Sequence, residues 1–173
     1  MTNKQILITG VAGSGKSTIC GEFKKLGYRA YSIEDIKGLF SLIDKKTGKI
    51  IKSYDNNDIE LIKQRDWVCD KKKLQKIINK NSKGIVFYCG TAVNLDELIP
   101  LFNKIFLLQV DQKVLSKRLS KRKLSDLGKA SEVQKWLFGW RNWWEDYIHK
   151  KGATIIGANR DIRKVAIDII NKS

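Results

Sequence analysis

The sequence predicts an α/β protein of three layers, with helices on both faces of a five-stranded parallel sheet. Three observations predict it. Apolar runs alternate with helical segments from end to end. The runs near 85 and 104 are continuous rather than alternating, and one proline in 173 residues marks no domain boundary. Continuous apolar runs belong to strands buried on both faces, and strands alternating with helices imply a parallel sheet.

Lys4 to Thr9 is a short apolar run that feeds a glycine-rich loop. No small-residue cleavage site follows Met1 to Ile8, so this run reads as the first strand and not as a signal peptide. Lys16 to Leu26 reads as a helix, ended by Gly27 where a C′ glycine belongs. Tyr28 to Ile33 alternates as a second strand. Glu34 to Ile43 reads as helical, Thr47-Gly48-Lys49 as a turn, and Asp58 to Ile78 as one long helix. Ile85 to Tyr88 is the third strand, and Leu95 to Ile99 a short helix closed by Pro100. Lys104 to Val110 is the fourth strand, followed by helices over Gln112–Arg122 and Ser131–Lys150. Ala153 to Ile156 and then Ile162 to Asn171 give the last strand and helix.

Hydrophobic residues make up 42% and charged residues 30%, the balance of a soluble globular chain. No run approaches the roughly 18 apolar residues of a membrane span, so a cytoplasmic protein is expected. Cys20, Cys69 and Cys89 form neither a CxxC nor a Cys/His cluster, which predicts three reduced, buried thiols. The single His149 leaves little room for metal-site or triad chemistry. A net charge of +16 suits polyanionic partners. Only 7 of the 34 basic residues are arginine, however, and the lysines are scattered, as the Lys/Asn/Ile bias of an AT-rich genome would scatter them. A nucleic-acid footprint is a clustered patch.

Gly10-Val11-Ala12-Gly13-Ser14-Gly15-Lys16-Ser17 satisfies GxxxxGK[ST] between a strand and a helix. Glycines let successive backbone N–H groups turn inward toward phosphate oxygens. The lysine reaches the β- and γ-phosphates, the hydroxyl of Ser17 ligates Mg²⁺, and the next helix adds its positive end. Gly10, Ala12, Gly13, Ser14, Gly15, Lys16, Ser17 and Thr18 are thus the predicted nucleotide-binding residues of a P-loop NTPase fold, with ATP and Mg²⁺ as cofactors.

Three further segments resemble the small nucleoside monophosphate kinase-like phosphotransferases, which include adenylate, shikimate and gluconate kinases. Asp111 followed by Arg118-Leu119-Ser120-Lys121-Arg122 looks like their strand-end Asp and RLxxR helix. Ile155 to Val165, with Asn159 and Arg160, looks like their last strand, adenine-side loop and closing helix. Tyr31-Ser32-Ile33-Glu34-Asp35 sits where relatives place an acidic acceptor-site motif. The resemblance implies a five-stranded sheet of order 2-3-1-4-5 and a single domain over 1–173. It also implies an acceptor-binding region over 36–80 and a short, cysteine-free lid over 123–130. Arg118 would lie near adenine or the phosphates, and Arg122 would act on the transferring group. Four residues apart, they share a helix face and can grip phosphate oxygens bidentately.

Other positions carry two readings each. Asp111 can support a metal or cap the helix it precedes. Strand three ends in Cys89-Gly90-Thr91 without the carboxylate adenylate kinases would suggest, so Gly90, Thr91 and Asn94 are candidates for contacting an acceptor through a small-residue loop. Glu34 and Asp35 can serve as base or metal support, or simply complement a helix dipole. Arg65, on the expected long helix, fits an acceptor phosphate or plain solvent, and Trp67 can wall that pocket. Trp136, Trp140, Trp143, Trp144 and Tyr147 share a helical face, read as packing onto the sheet, with base stacking the alternative.

The function expected is transfer of the γ-phosphoryl group of ATP to a small acceptor, either nucleoside monophosphate-like or a hydroxyl metabolite. Lys16, Arg118, Arg122, Asp35 and Glu34 would be the catalytic set, in a monomer or homodimer. A 5′-hydroxyl polynucleotide kinase and a nucleic-acid-binding NTPase without transfer are the alternatives.

Overall fold

A computed structural model describes residues 3–81 and 83–173. Met1 and Thr2, the start of the run read as strand rather than leader, lie outside the described residues. The first half of the chain forms β1 (Lys4–Thr9), α1 (Lys16–Lys25), β2 (Arg29–Ser32), β3 (Phe40–Asp44), α2 (Ile59–Lys63), β4 (Arg65–Cys69) and α3 (Lys71–Lys80). The second half forms β5 (Ile85–Cys89), α4 (Leu95–Leu98), β6 (Lys104–Gln109), α5 (Gln112–Ser120), α6 (Ser131–Lys150), β7 (Thr154–Gly157) and α7 (Ile162–Asn171). Single 3-10 turns occupy Ile33–Asp35 and Ile99–Leu101.

The main sheet is β2-β5-β1-β6-β7, every pair parallel. Counted among these five strands alone, the order is 2-3-1-4-5. Strand alternation divides the core into two layers. Ile6 and Ile8 of β1, Phe87 and Cys89 of β5, and Phe106 and Leu108 of β6 point to the side covered by α1 and α7. Leu7, Val86, Tyr88, Ile105 and Leu107 point to the other, against Leu74 and Ile78 of α3 and Leu95 and Leu98 at α4. Phe23 of α1 stacks on Phe87 with ring centroids 3.8 Å apart. Burial on both faces is why these strands are continuously apolar.

The region between β2 and β5 differs from the sequence expectation. Glu34–Ile43 is not a helix but the 3-10 turn followed by β3. Asp58–Ile78 is two helices separated by β4. β3 and β4 pair antiparallel, with Leu42 opposite Trp67, and Phe40 stacks on Trp67 at 5.1 Å. An aspartate caps each of the two, and Asp70 falls inside the expected long helix. Asp58 accepts the N–H groups of Glu60 and Leu61 to start α2, and Asp70 accepts that of Lys73 to start α3. The helix after β6 ends at Ser120 rather than Arg122. Asp111 holds the cap position of α5 without a side-chain bond to it.

Candidate active site

The loop between β1 and α1 is tightly folded. A Cβ at Gly10 would stand 2.5 Å from Ser14 Oγ and 3.1 Å from the carbonyl oxygen of Leu108, so only glycine fits there. Gly15, at φ 106, adopts the left-handed conformation that starts α1. The first amides of a helix have no intrahelical partner, and here they face a cleft of about 1590 Å³ lined by Ala12, Gly13, Gly15, Lys16, Ser17 and Thr18 among others. Ser14 Oγ is buried without a partner. An anion with several oxygens fits this cradle.

Lys16 folds back over the loop, its Nζ donating to the carbonyls of Gly10 at 2.9 Å and Val11 at 3.3 Å. Burial pushes its pKa below the ordinary lysine value, Glu34 opposes that shift, and Arg122 adds to it. Glu34 Oε1 lies 3.8 Å from the ammonium and accepts the backbone N–H of Thr91 at 2.7 Å. Gly90 makes this approach possible. A Cβ there would stand 2.4 Å from Ile33 Cγ1, so the turn carrying Glu34 could not press against the end of β5. Asp35 is exposed and lines the same cleft.

Among the described residues no cluster of three His, Cys, Asp or Glu can hold a metal alone. The donors at the loop are the Ser17 hydroxyl and the Glu34 and Asp35 carboxylates. This oxygen set suits Mg²⁺, which keeps several waters and takes phosphate oxygens in place of a full protein cage.

The arginines of the Arg118–Arg122 segment take different positions. Arg118 Nη1 donates to the carbonyls of Gly13 and Ser14, both at 3.3 Å, and Nη2 to Ala158 at 3.2 Å. It thereby staples the P-loop to the loop after β7. Arg122, two residues beyond α5, donates to the carbonyl of Leu127 at 2.9 Å and lines the cleft. Segment 123–130 carries no helix or strand and reaches across to the loop before α2. Asn56 Nδ2 donates to the carbonyl of Ser125 at 2.9 Å, and Asn57 Nδ2 to that of Leu124. Asn159 accepts the N–H of Asp111 at 2.9 Å. Arg160 pairs with Asp168 and borders the cleft.

The far half of the cleft is lined by Arg65, Asp66 and Trp67 of β4, with Tyr54, Asn56 and Thr91. Arg65 lies on a strand, not on the expected helix. Its Nη2 bonds the carbonyl of Asp55 at 3.0 Å and Asn56 Oδ1 at 3.1 Å, its guanidinium covers the Tyr54 ring at 4.9 Å, and its Nη1 is buried without a partner. Asn94 is committed elsewhere. It clamps β4 by accepting the N–H of Cys69 and donating to its carbonyl, each at 3.0 Å. Gly90 acts through its neighbours rather than by lining the cleft. Tyr54, Asn56 and Asn57 were not singled out from the sequence. Their signal was the run Asp55-Asn56-Asn57-Asp58, of the type that folds into side-chain-bonded turns, and Asp55 Oδ1 does accept the N–H of Asn57 at 2.8 Å.

The sequence matches the AAA domain family over residues 6–137, from β1 into α6. The chain belongs to that family. This AAA domain is 32% identical over 124 residues to an adenylate kinase isoenzyme 6 homolog of Plasmodium falciparum. That match covers 68% of this chain and 64% of the relative, so the chain spans less than two thirds of the relative's length. Its fold is shared with a deoxyadenosine kinase from M. mycoides solved with dCMP and dCDP. The two are 18% identical, at TM-score 0.54 over 97% of each chain. It is shared too with a Thermus thermophilus protein, 14% identical at TM-score 0.59 over 99% of this chain and 98% of that one. The P-loop, sheet order and family place this AAA domain among small P-loop proteins of the nucleoside monophosphate kinase-like kind. Among the described residues no helix is long and apolar enough to cross a membrane.

Proposed function

We propose that the protein is an ATP-dependent phosphotransferase that moves the γ-phosphoryl group to a small acceptor of nucleoside monophosphate type. One observation carries the reading. Lys16, Glu34 and Arg122 meet in a cleft that continues, without a dividing wall, to a second half where Arg65 has an unpartnered Nη1. A triphosphate on the loop and an anionic acceptor beside Arg65 would share one enclosure.

In this reading ATP lies along the P-loop with its adenine near Arg118, Asn159 and Arg160. Lys16 exchanges the carbonyls of Gly10 and Val11 for phosphate oxygens. Ser17, with Glu34 or Asp35 in support, would hold Mg²⁺, which would supply positive charge against the phosphate oxygens. An acceptor oxygen forms a bond to the γ-phosphorus as the bond to the β–γ bridging oxygen breaks, and ADP leaves with that electron pair. A phosphate acceptor is already ionised at neutral pH and needs no base. A hydroxyl acceptor would pass its proton to Glu34 or Asp35. Arg122 meets charge on the transferring group, and segment 123–130 closes over it to exclude water. Arg118, bonded to three carbonyls, braces the loop.

ADP release from ATP and Mg²⁺ tests this across nucleoside monophosphates, nucleosides, hydroxy acids and a 5′-hydroxyl oligonucleotide. Turnover that appears with a nucleoside monophosphate supports the reading. Turnover that needs no acceptor, or only the oligonucleotide, removes it.

A further inference from the structure

One wall of the cleft is left unused by that reading. The core-facing stripe of α6 is Val133, Leu137, Arg141, Glu145 and Ile148, all buried. Within it, Arg141 Nε donates to Glu145 Oε1 at 2.7 Å, and Gln109 of β6 donates to Glu145 Oε2 at 2.9 Å. The large aromatic residues lie beside this stripe, not on it. Trp136, Trp140, Trp144 and Tyr147 pack against buried core residues, as their helical spacing predicts, and together with exposed Trp143 they also line the cleft.

Their rings form two sets along the helix, one packed edge-on and one stacked. Trp136 meets Trp140 edge-on at 5.6 Å, Trp140 meets Trp144 at 6.2 Å, and Trp143 stacks on Tyr147 at 5.6 Å with 12° between planes. Trp143 is 68% exposed, an unusual waste of apolar surface for an indole at the mouth of a cleft. Trp140 Nε1 is buried with no hydrogen-bond partner, and the ring stands between Trp136 and Trp144 as the support of the wall. Exposed Val93 lines the cleft from the loop after β5. The wall therefore offers ring faces and very few edge-reading polar groups.

We propose that the α6 tryptophan face is the ring subsite for the acceptor, built around exposed Trp143. It takes a flat aromatic ring by stacking rather than by hydrogen bonding to the ring's edge. The inference rests on the phosphotransferase reading for what the ring is attached to. It adds that the ring is selected by its area, so purines bind better than pyrimidines and bases of one size are poorly told apart, since every base has a π-face. Small hydroxyl metabolites without a ring would find no purchase on it.

The test uses the full chain saturated with a non-hydrolysable ATP analogue, so that added ligands meet only the acceptor half. AMP, adenosine and ribose 5-phosphate are titrated by calorimetry and by tryptophan fluorescence. AMP and adenosine are expected to quench the emission, and ribose 5-phosphate to leave it unchanged. Trp143→Leu should weaken AMP about tenfold, the loss of one stacked ring. Trp143→Phe, which keeps a ring, should recover most of that. The loss should fall on AMP and not on the ATP analogue. Ribose 5-phosphate binding as tightly as AMP would overturn the subsite. So would AMP affinity indifferent to Trp143→Leu, or a single-stranded oligonucleotide occupying the wall with steep salt dependence while AMP does not bind. The two readings fail separately. Adenosine bound through Trp143 with no acceptor phosphorylated upholds the subsite and removes the phosphotransferase. AMP phosphorylated with a KM unmoved by Trp143→Leu does the reverse.

Discussion

Glu34 Oε1 accepts the backbone N–H of Thr91 at 2.7 Å, joining the turn after β2 to the loop after β5 beside the Lys16 ammonium. The carboxylate has a structural bond and a charge to give, and two substitutions separate them. Glu34→Gln retains an oxygen for Thr91 and loses the charge. Its turnover should fall about 100-fold, the scale of one lost electrostatic contact in a transfer site, with melting temperature near that of the parent. Asp35→Asn should fall less if Glu34 is the metal's support, and the ratio of the two rates measures which carboxylate serves.

Lys16→Met should abolish the thermal stabilisation that ATP and Mg²⁺ give the parent, which at 100 times Kd is about 2.7 kcal/mol. The ligand-free variant should melt no lower than the parent. Burial holds the Lys16 pKa below its ordinary 10.5. Between the folded and unfolded values the unfolded chain holds the proton more strongly, so the parent gains stability as pH rises through that window. Lys16→Met should lack this alkaline gain. Melting curves from neutral to alkaline pH read it directly.

The two arginines predict opposite phenotypes. Arg122→Ala should cut turnover about 100- to 1000-fold, as loss of a transition-state donor does, with ATP affinity changed little. Arg118→Ala leaves the carbonyls of Gly13, Ser14 and Ala158 without their donor. Its ATP affinity and melting temperature should fall together. Binding of an ATP analogue beside steady-state rates distinguishes these outcomes.

The three thiols are buried and free. Burial pushes Cys69 up to about 12, and Cys89 is held well above its ordinary value by the same cause. Neither forms appreciable thiolate at neutral pH, and the thiolate is the nucleophile. Cys20 is shifted the other way, lowered by its hydrogen bond with Cys89, and its burial rather than its ionisation keeps reagents out. An aromatic disulfide reagent should label the native protein slowly and all three cysteines promptly in denaturant.

Asn94→Ala removes both bonds to the backbone of Cys69. Stability should fall by about 1–3 kcal/mol for leaving buried groups unpaired, measured by denaturant unfolding.

The parallel sheet was legible because its central strands β1, β5 and β6 are buried on both faces and bounded by glycine, Asp or Pro. Ser131–Lys150 and Ile162–Asn171 stand where the sequence put them, since each is long and strongly periodic. The region of 36–80 was not legible. Phe40-Ser41-Leu42-Ile43 is too short for its apolar spacing to separate helix from strand, and its strand state depends on Trp67 and Cys69, which lie far along the chain. Asp70 was the missed sign: a cap residue standing before a lysine-rich helix. At the site, the P-loop was visible as a contiguous motif. Arg65 and Trp67, named from the sequence as acceptor candidates, do line the cleft. The clamp from Asn94 to Cys69 and the cover of Tyr54 by Arg65 are contacts between separate elements, and no spacing in the chain announces them.

Asn56 and Asn57 reach the carbonyls of Ser125 and Leu124 through side chains alone, in solvent-exposed positions. Such a latch opens cheaply, because water replaces each bond as it breaks. The two flaps over the cleft are thus joined at their tips, while each is rooted below by its own arginine: Arg65 holds Asp55 and Asn56, and Arg122 holds Leu127. Parting the clasp therefore frees the tips from one another without uprooting either arm, and a narrow breach at the rim costs less than lifting a whole arm away.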